Sequence, residues 1–399
     1  MKLHRNLLLA IINGLKEILL NHKQADVTVE NILTSNKSWG ARDRNFIAEN
    51  IYDIVRYKRR YAYIAGAEPE GEADLWKILG IRLSMNGFSI DTVPEFVAAD
   101  AGKIEEAKNI RKIWESIPDW LDELGEKELG ERWGKEITAL NTAAKLSIRI
   151  NPLKTNKSII KGLFKTDGIP FEETTLAPDA LLITQRKNFR NYAAYKNGLF
   201  EVQDISSQLV APMLEAQPGM TVIDGCAGAG GKTLHICALM NNKGKILAVD
   251  VNQAKIDELD RRAVRAGCDI VYASLPDKFK KFVLTQSVPF ADRILLDVPC
   301  SGLGVLRRKP DAKWSMSVDG IEALKRTQAQ ILDEYSLYLK PRGILVYSTC
   351  SILPSENEKQ IESFIKRNKG AFDLIEEKSI SPADSEFDGF YMAKMRRVM

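Results

Sequence analysis

Residues 224 to 233 read Asp-Gly-Cys-Ala-Gly-Ala-Gly-Gly-Lys-Thr, and the apolar run Thr-Val-Ile from Thr221 to Ile223 comes directly before them. The β-branched run predicts a strand, and the glycines after it predict a tight turn that opens a helix. Glycines in such a turn let the backbone approach a bound nucleotide-like group closely. A strand, a glycine turn and a helix in this order are typical of an open α/β sheet that binds a nucleoside at its edge. A purely structural turn is the simpler explanation for the glycines alone.

The pattern of short strands and helices continues on both sides of this turn, over residues 200–399. With helical stretches between the strands, the order predicts a parallel sheet covered by helices on both faces. The second strand ends at Asp250, where a carboxylate can hydrogen-bond the hydroxyls of a ribose. The strands predicted after Ile223 are Lys245 to Val249, Ile270 to Tyr272, Arg293 to Leu296, and Gly343 to Tyr347.

The spacing within the turn excludes two common nucleotide motifs. A phosphate-binding loop needs glycine at position 226, which is Cys226. A dinucleotide fingerprint that starts at Gly228 needs glycine at position 233, which is Thr233. S-adenosylmethionine remains as the cofactor, since its adenosine needs the turn and the acid but no phosphate cradle. The cofactor residues predicted in this way are Cys226, Ala227, Gly228, Ala229, Gly230, Gly231, Lys232 and Asp250.

Two cysteines follow the ends of later strands. Cys300 lies in Asp-Val-Pro-Cys-Ser-Gly, which begins at Asp297, and Cys350 lies in Tyr-Ser-Thr-Cys-Ser. Ligands in an open α/β sheet bind beyond the carboxyl ends of the strands, so both thiols and Asp297 are predicted to face one crevice beside the cofactor. Free cysteines are often no more than small buried apolar residues, and this is our interpretation of Cys237 and Cys268.

Two thiols and a carboxyl group suit methylation at carbon 5 of a pyrimidine. Carbon 5 is a poor nucleophile, but a thiolate that adds to carbon 6 makes an enamine whose carbon 5 can attack a methyl sulfonium. The proton on carbon 5 must then leave and the thiol must be expelled, which needs a second acid or base. A carboxyl group can hold N3 and the amino edge of the ring. Asp297, Cys300 and Cys350 would supply these three parts.

These motifs resemble those of the Sun/RsmB-type RNA cytosine-5 methyltransferases, over roughly residues 140–399. The resemblance implies that Cys350 is the nucleophile at carbon 6, that Cys300 assists release of the product, and that Asp297 contacts the base and lies near the cofactor. It places S-adenosylmethionine on the loop from Cys226 to Lys232, with its ribose on Asp250. Besides the two cysteine motifs, the resemblance rests on Phe200 to Ser207, Gly304 to Trp314, Asn357, and Asp388 to Ala393.

The chain departs from the family pattern in two places. The cofactor loop reads Ala-Gly-Ala-Gly-Gly, whereas the family usually has Ala-Ala-Pro-Gly-Gly. The third strand of the family usually ends in Gly-Asp, whereas here Ala273 and Ser274 stand in that place and Asp277 follows three residues later. We therefore expect the adenine contact to be altered and the cofactor to bind more weakly than is normal for the family.

The first part of the chain is predicted to be helical, with apolar residues at three- and four-residue spacing from Leu7 onwards. Arg42 to Phe46 and the basic stretch Arg56 to Arg60 resemble the NusB-type RNA-binding domain that bacterial members carry. The predicted fold is thus a Rossmann-like methyltransferase domain at 200–399 and a small α+β, RRM-like unit at 141–199. An all-helical region precedes them, NusB-like over 1–68 and a helical linker over 69–140.

Composition narrows the class of protein further. The net charge of +4 permits a nucleic-acid partner without demanding one. The five cysteines form no CxxC pair and the three histidines have no metal-ligand spacing, so we predict a cytoplasmic chain with reduced thiols and no metal. The apolar run from Leu7 to Ile12 is too short for a signal peptide or a membrane span. We expect no membrane partner and a monomer.

Local basic clusters are the candidates for contacts with RNA. The cluster Arg307 to Lys309 follows the Pro-Cys loop, so it is predicted to border the active site and to contact phosphates. A solvated charged face is the simpler explanation for Lys278 to Lys281. The remaining clusters are Arg56 to Tyr61 and Arg186-Lys187.

The sequence therefore predicts methylation of carbon 5 of a cytosine in RNA, with 16S rRNA as the expected substrate. A tRNA cytosine-5 methyltransferase is one alternative. A DNA cytosine-5 methyltransferase is another, and it would attack with the Pro-Cys thiol of Cys300 instead. A third is a non-catalytic RNA-binding factor of ribosome assembly that keeps the fold, although such a protein has no use for two thiols.

Overall fold

The computed structural model describes residues 3–185 and 187–398, and the chain divides into two compact units. The first, called the helical unit below, comprises the residues up to Thr142 together with Leu306–Val318. The second, called the sheet unit, comprises Ala143–Val305 and the residues from Asp319 onwards. Among the described residues, no helix is both long enough and apolar enough to cross a bilayer. The division into four regions stays a prediction.

The helical unit is built from amphipathic helices, as the apolar spacing predicts. In the first helix Leu7, Leu8, Ile11 and Leu15 are all buried, which is the stripe that a 3.6-residue period produces. A π-helical turn, Lys16–Leu20, continues this helix. The α-helices before Thr142 are Arg5–Leu15, Ala25–Ser35, Ala41–Arg56, Lys58–Ala65, Glu72–Met85, Ala101–Lys108, Arg111–Trp114, Asp119–Leu129 and Arg132–Leu140.

The segment Leu306–Val318 leaves the sheet unit and packs within the helical unit. Trp314 Nε1 donates to the carbonyl oxygen of Val55 at 2.9 Å. Lys313 is fully buried, and its Nζ donates to Asn141 Oδ1 at 3.1 Å. The segment contains the short helix Ala312–Ser315.

The small α+β unit predicted over 141–199 contains a four-stranded sheet and two helices, and its last strand ends at Val202. Its strands are β1 (Leu146–Ile150), β2 (Phe171–Glu173), β3 (Ala180–Ile183) and β4 (Phe200–Val202), in the antiparallel order β2-β3-β1-β4. Phe164 of the helix Lys157–Thr166 lies at its centre and contacts the rings of Phe189 and Phe200. The short helix Ala193–Lys196 precedes β4.

The large sheet is mixed, where the sequence predicts only parallel strands. Its strands are β5 (Thr221–Asp224), β6 (Lys245–Val249), β7 (Val271–Ser274), β8 (Ala291–Asp297), β9 (Leu339–Thr349), β10 (Phe372–Ile380) and β11 (Phe390–Arg397). Their order within the described residues is β10-β11-β9-β8-β5-β6-β7. Strands β5 to β9 are parallel to one another, and β11 runs antiparallel to both β9 and β10.

The prediction missed β10 and β11 for a physical reason. β10 is an edge strand whose side chains are almost all exposed, so it carries no alternation of apolar and polar residues. β11 is buried over most of its length and begins with the short apolar run Phe390 to Ala393, which periodicity alone does not assign to a strand. The helices of the sheet unit from Ile205 onwards are Ile205–Gln208, Val210–Met213, Gly231–Leu239, Gln253–Ala266, Pro276–Val283, Val318–Ser336, Glu358–Arg367 and Pro382–Ser385.

Three parallel strands bring the predicted site residues to one edge of this sheet. β8 lies between β5 and β9, and Asp297 at the end of β8 pairs with Ser348 of β9. Asp224 at the end of β5 pairs with Leu295 of β8. Since parallel strands all end at the same edge, the loops that carry Cys300 and Cys350 emerge there as neighbours.

Candidate active site

The glycine turn between β5 and the helix Gly231–Leu239 needs glycine at two positions. Gly228 and Gly230 have φ angles of +54° and +85°, which other residues adopt only with strain. A Cβ atom on Gly230 would also lie 2.8 Å from Leu259 Cγ. Asp250 supports the turn, because its Oδ2 accepts from the backbone N–H of Gly228 at 2.9 Å. The predicted turn is present, and its shape is held by the acid predicted for the ribose.

A cavity of about 260 Å³ lies beside the turn. Of the predicted cofactor residues, Gly230 and Asp250 do not line it. The predicted residues that do line it are Cys226, Ala227, Gly228, Ala229, Gly231, Lys232 and Asp297. Residues that were not among those predicted to bind the cofactor also line it, namely Val202, Gln203, Ser207, Asp224 and Arg262.

Asp224 is an acid of this cavity whose pKa is raised. Burial raises the pKa of its carboxyl group to about 7, and the nearby charge of Asp297 acts in the same direction. Its Oδ2 accepts from Thr233 Oγ1 at 2.7 Å, whereas its Oδ1 is buried without a hydrogen-bond partner. A buried acceptor without a donor is costly, so this oxygen suits a ligand that brings a donor or a positive charge.

Asp297 is held from two sides. Its Oδ2 accepts from Lys232 Nζ at 2.6 Å, and its Oδ1 accepts from Ser348 Oγ at 2.9 Å. Lys232 in turn lies 5.1 Å from the centre of the Phe390 ring. The sequence predicts Lys232 only as part of the cofactor loop, and its pairing with Asp297 becomes visible only in three dimensions.

The sulfur atoms of Cys300 and Cys350 lie 3.4 Å apart, within hydrogen-bond distance for thiols. The pKa of Cys300 is raised well above its usual range by its hydrogen bond with Cys350, by burial, and by the nearby charges of Cys350 and Glu356. This environment favours a protonated Cys300. Cys237 and Cys268 are both buried within the core of the sheet unit.

The third strand of the sheet, β7, ends at Ser274, where the family usually has an aspartate. Its carbonyl oxygen accepts from the backbone N–H of Asp250 at 3.4 Å. Asp277 is exposed in the first turn of the helix Pro276–Val283. The altered contact with adenine stays a prediction.

The arginines of the cluster Arg56 to Tyr61 are used inside the helical unit. Arg59 donates to the carbonyl oxygen of Ile117 at 2.6 Å, and Arg60 donates to that of Trp114 at 2.6 Å. The Arg60 guanidinium also lies 3.8 Å from the centre of the Trp114 ring. The alternation of basic and aromatic residues is therefore explained in part by cation–π packing inside the unit, and a contact between this cluster and RNA stays a prediction.

The expectation for Arg307 is wrong for the same reason. Its side chain is only 5% exposed, and its Nε donates to the carbonyl oxygen of Ala139 at 2.8 Å within the helical unit. Lys309 of the same cluster is exposed. Lys278, Lys280 and Lys281 are exposed as expected of a solvated face, and Arg186 lies outside the described residues.

Sequence reasoning missed one buried residue that contacts both cysteine loops. Glu356 accepts hydrogen bonds from Ser301, next to Cys300, and from Ser351, next to Cys350. The signal that could have indicated such a contact is the repeated Cys-Ser pair, because two small hydroxyl residues in equivalent places suggest a shared acceptor.

Comparisons with known proteins agree with this architecture. The family described as "16S rRNA methyltransferase RsmB/F" matches residues 211–396. The ferredoxin-like domain of RsmF/B-like methyltransferases matches residues 117–190. Among solved structures, PH0851 covers 100% of this chain and is itself covered fully, with a TM-score of 0.84 at 23% identity. NSun6 from Pyrococcus horikoshii was solved with SFG. Its match covers 71% of this chain and 98% of the NSun6 chain, with a TM-score of 0.64 at 22% identity. Both likenesses concern the fold.

Curated relatives carry the stronger sequence similarity. Ribosomal RNA small subunit methyltransferase B of Pasteurella multocida is 35% identical over 73% of this chain and 67% of its own length. The probable enzyme of the same name from Bacillus subtilis is 33% identical over 71% of this chain and 66% of its own length. The one from Synechocystis is 32% identical over 88% of this chain and 87% of its own length. The chain therefore belongs to the RsmB/F family of S-adenosylmethionine-dependent rRNA methyltransferases.

Proposed function

We propose that this chain methylates carbon 5 of a cytosine in 16S rRNA, with S-adenosylmethionine as the methyl donor and Cys350 as the nucleophile. The observation that carries the chemistry is the pair of thiols 3.4 Å apart on the loops that follow β8 and β9. The names of the curated relatives, which specify the small ribosomal subunit, favour 16S rRNA over tRNA.

The cavity beside the glycine turn fits the proposed cofactor. S-adenosylmethionine carries a sulfonium and an ammonium group, and the cavity offers the unpaired Oδ1 of Asp224 and the carboxyl group of Asp297. The turn from Cys226 to Lys232 would hold the cofactor, with Asp250 at the ribose. When bound, S-adenosylmethionine supplies an electrophilic methyl group.

Cys350 would add to carbon 6 of the cytosine as a thiolate. A hydrogen bond from the Cys300 thiol, 3.4 Å away, stabilises that thiolate before it reacts. The carbon–sulfur bond forms with the electron pair of the thiolate, and carbon 5 becomes nucleophilic. Asp297, oriented by Lys232 and Ser348, would accept a hydrogen bond from the amino group of the base.

Cys300 would act in the release of the product. The charge of Cys350 is one cause of the raised pKa of Cys300, and that charge is lost when the carbon–sulfur bond forms. Cys300 then loses its proton to solvent more easily. As a thiolate it takes the proton from carbon 5, the electron pair of that carbon–hydrogen bond restores the double bond, and Cys350 leaves as a thiolate.

The test is transfer of labelled methyl groups to 16S rRNA that lacks the modification, supplied free and in ribosomal particles. Wild type is expected to form 5-methylcytosine, and Cys350→Ala to lose at least about 1,000-fold in rate because the nucleophile is gone. Cys300→Ala should accumulate a covalent protein–RNA adduct. Cys268→Ala removes a buried thiol elsewhere in the sheet unit and serves as the control that stays active.

Other results would contradict the proposal in distinct ways. An active Cys350→Ala with an inactive Cys300→Ala would reverse the two roles and favour the chemistry of the DNA enzymes. Methylation of tRNA in preference to 16S rRNA would change the substrate that we propose but not the mechanism. No transfer by wild type to either form of the RNA, and no binding of S-adenosylmethionine, would favour the assembly factor.

A further inference from the structure

The two cysteine loops have a matching pair of serines beneath their thiols. Ser301 directly follows Cys300 and Ser351 directly follows Cys350, and both serine side chains are buried. The two Oγ atoms lie 3.2 Å apart, a spacing close to the 3.4 Å between the two sulfur atoms. Whatever fixes the distance between the serines therefore also limits the distance between the thiols.

One carboxyl group joins these serines. Glu356 is fully buried, and its Oε2 accepts from both Ser301 Oγ and Ser351 Oγ at 2.5 Å. Its Oε1 accepts from the backbone N–H of Ser301 at 2.8 Å and from Gln328 Nε2 at 2.9 Å. Four donors surround two oxygens, which is the arrangement that an acceptor-only carboxylate needs.

The surroundings hold Glu356 itself in place. Tyr347 of β9 donates its hydroxyl to the backbone carbonyl oxygen of Glu356 at 2.7 Å. Gln328 also donates to the carbonyl oxygen of Pro299 at 3.0 Å, so it connects Glu356 to the first cysteine loop. Asn357 donates to the carbonyl oxygen of Ser351 at 3.0 Å, which ties the second loop to the same stretch of chain. Movement of either loop would break several of these bonds at once.

We propose that Glu356 is a positioning residue that sets the separation of the Cys300 and Cys350 sulfur atoms. This inference rests on the proposed function, in which those two thiols act on one base. Reactions between positioned groups are sensitive to displacement, and an error of about 1 Å can cost about 100-fold in rate. Glu356 does not line the cavity proposed for the cofactor, so its effect is expected in turnover and not in cofactor binding.

Three variants separate this role from a general contribution to folding. Glu356→Ala removes the acceptor from all four donors. Glu356→Gln keeps the length of the side chain and one acceptor oxygen, while its amide group can still donate to the serine oxygens, so it should behave as an intermediate. Ser351→Ala removes only one of the four donors to Glu356, and it is the variant to use if Glu356→Ala does not fold.

The matched control is Glu115→Ala in the helical unit. Glu115 is also buried, and it accepts from the hydroxyl of Thr138 and the amide group of Asn141, both at 2.8 Å. Its removal should lower thermal stability and leave turnover and thiol spacing unchanged.

The direct readout of spacing is the affinity of each full-length protein for phenylarsine oxide, which needs no RNA. The arsenic atom forms one bond to each of the two sulfur atoms. The oxygen of the arsenical leaves as one molecule of water, which carries the two thiol protons. Peptide mapping by mass spectrometry assigns the bridge to Cys300 and Cys350. Turnover and the KM for S-adenosylmethionine are measured on the same preparations.

The expected result is a fall in arsenical affinity of at least about tenfold in Glu356→Ala, with a smaller fall in Glu356→Gln. Turnover should fall in the same order, by about 100-fold for Glu356→Ala, at an unchanged KM for S-adenosylmethionine. Unchanged affinity with lower turnover would overturn the proposal, as would lower affinity with unchanged turnover or a wild type that does not bind the arsenical. If affinity falls in the variants but wild type transfers no methyl group, the positioning role stands and the proposed function fails.

Discussion

Charged groups that are buried or half-buried serve different purposes in the two units. In the helical unit Arg59, Arg60 and Arg307 each donate to a backbone carbonyl oxygen, so their charge is used to hold the helices together. In the sheet unit Asp224, Asp297 and Glu356 gather at one sheet edge, and their partners come from neighbouring strands, helices and loops. A charge in the sequence therefore indicates function only when the fold brings it to a place where ligands bind.

Asp297→Asn should sharpen this comparison most. The amide keeps one acceptor oxygen but loses the charge that pairs with Lys232, and we expect the rate of methyl transfer to fall about 100-fold or more. The matched control is Asp292→Asn at the opposite end of the same strand. Asp292 also accepts from a lysine, Lys340, at 2.7 Å.

The two variants lose the same kind of ion pair, so any difference between their rates reflects position on the strand. Asp292→Asn should be about as unstable in thermal unfolding as Asp297→Asn and should transfer methyl groups at nearly the wild-type rate. Equal rates for both variants would contradict a special role for the sheet edge.

Arg60→Ala tests whether a charged group of the helical unit stabilises the fold and not RNA binding. It removes a charged hydrogen bond to Trp114 and the cation–π contact above that ring, so the free energy of unfolding of the helical unit should fall by about 2 kcal/mol. Because the guanidinium is used inside the unit, the slope of RNA affinity against salt concentration should not change.

Arg42→Ala is the control, since Arg42 is exposed on the helix Ala41–Arg56. This variant should change the free energy of unfolding by less than about 0.5 kcal/mol. If Arg60→Ala instead lowers the salt slope by about one, Arg60 contacts a phosphate and the contrast between the units disappears.

The sheet edge could be predicted from the sequence because its chemistry is local. The glycine turn and the two cysteine motifs each follow a recognisable strand, and parallel strands must end together. The partners of these residues could not be predicted in the same way. Lys232 meets Asp297 and Glu356 meets Ser301 across long stretches of chain, and only the register of the strands brings them together.

The helical unit shows the opposite limit. Its helices follow from apolar spacing, whereas the direction of its basic side chains does not. An arginine on a helix can face solvent or reach a carbonyl oxygen on a neighbouring helix, and its long side chain permits both. Arg307 lies in a turn, but its long side chain likewise reaches a carbonyl oxygen, that of Ala139, so its position after the Pro-Cys loop suggests a role that its burial excludes.

Two buried titratable groups, one in each unit, should respond to pH in opposite directions. For Asp224 the pKa in the folded chain, about 7, lies above the ordinary value of 3.8. Between these values the unfolded chain releases a proton that the folded chain keeps, so the stability that Asp224 contributes is lost as pH rises towards 7. Its ionised form should in turn bind a positively charged cofactor more tightly.

The measurement is the affinity for S-adenosylmethionine between about pH 6 and pH 8, by calorimetry. Wild-type affinity should rise by up to about tenfold across this range as Asp224 ionises, and Asp224→Asn should bind more weakly with a flat profile. Asp292→Asn should keep the wild-type profile. A flat wild-type profile would mean that Asp224 does not meet the charged part of the cofactor.

Lys313 should have the smallest effect on stability, and its contribution should change with pH in the direction opposite to that of Asp224. Burial lowers its pKa well below 10.5, and the nearby positive charges of Arg56, Arg60 and Lys58 act in the same direction, while Glu115 opposes them. Above its lowered pKa the folded chain holds Lys313 neutral, whereas the unfolded chain still takes up a proton until about pH 10.5. Stability from this group therefore rises with pH, by at most about 1.4 kcal/mol per pH unit.

Lys313→Met removes this dependence and keeps most of the volume of the side chain. It should raise the free energy of unfolding of the helical unit by about 1 kcal/mol at neutral pH, because burial no longer acts against a group that is charged in the unfolded chain. The advantage should shrink towards about pH 10, where the wild-type lysine folds at little cost and keeps its hydrogen bond to Asn141. Urea unfolding at several pH values measures both. A variant that is less stable than wild type at neutral pH would mean that the hydrogen bond outweighs burial of the charge, and that basic groups in the helical unit stabilise it even where they are fully buried.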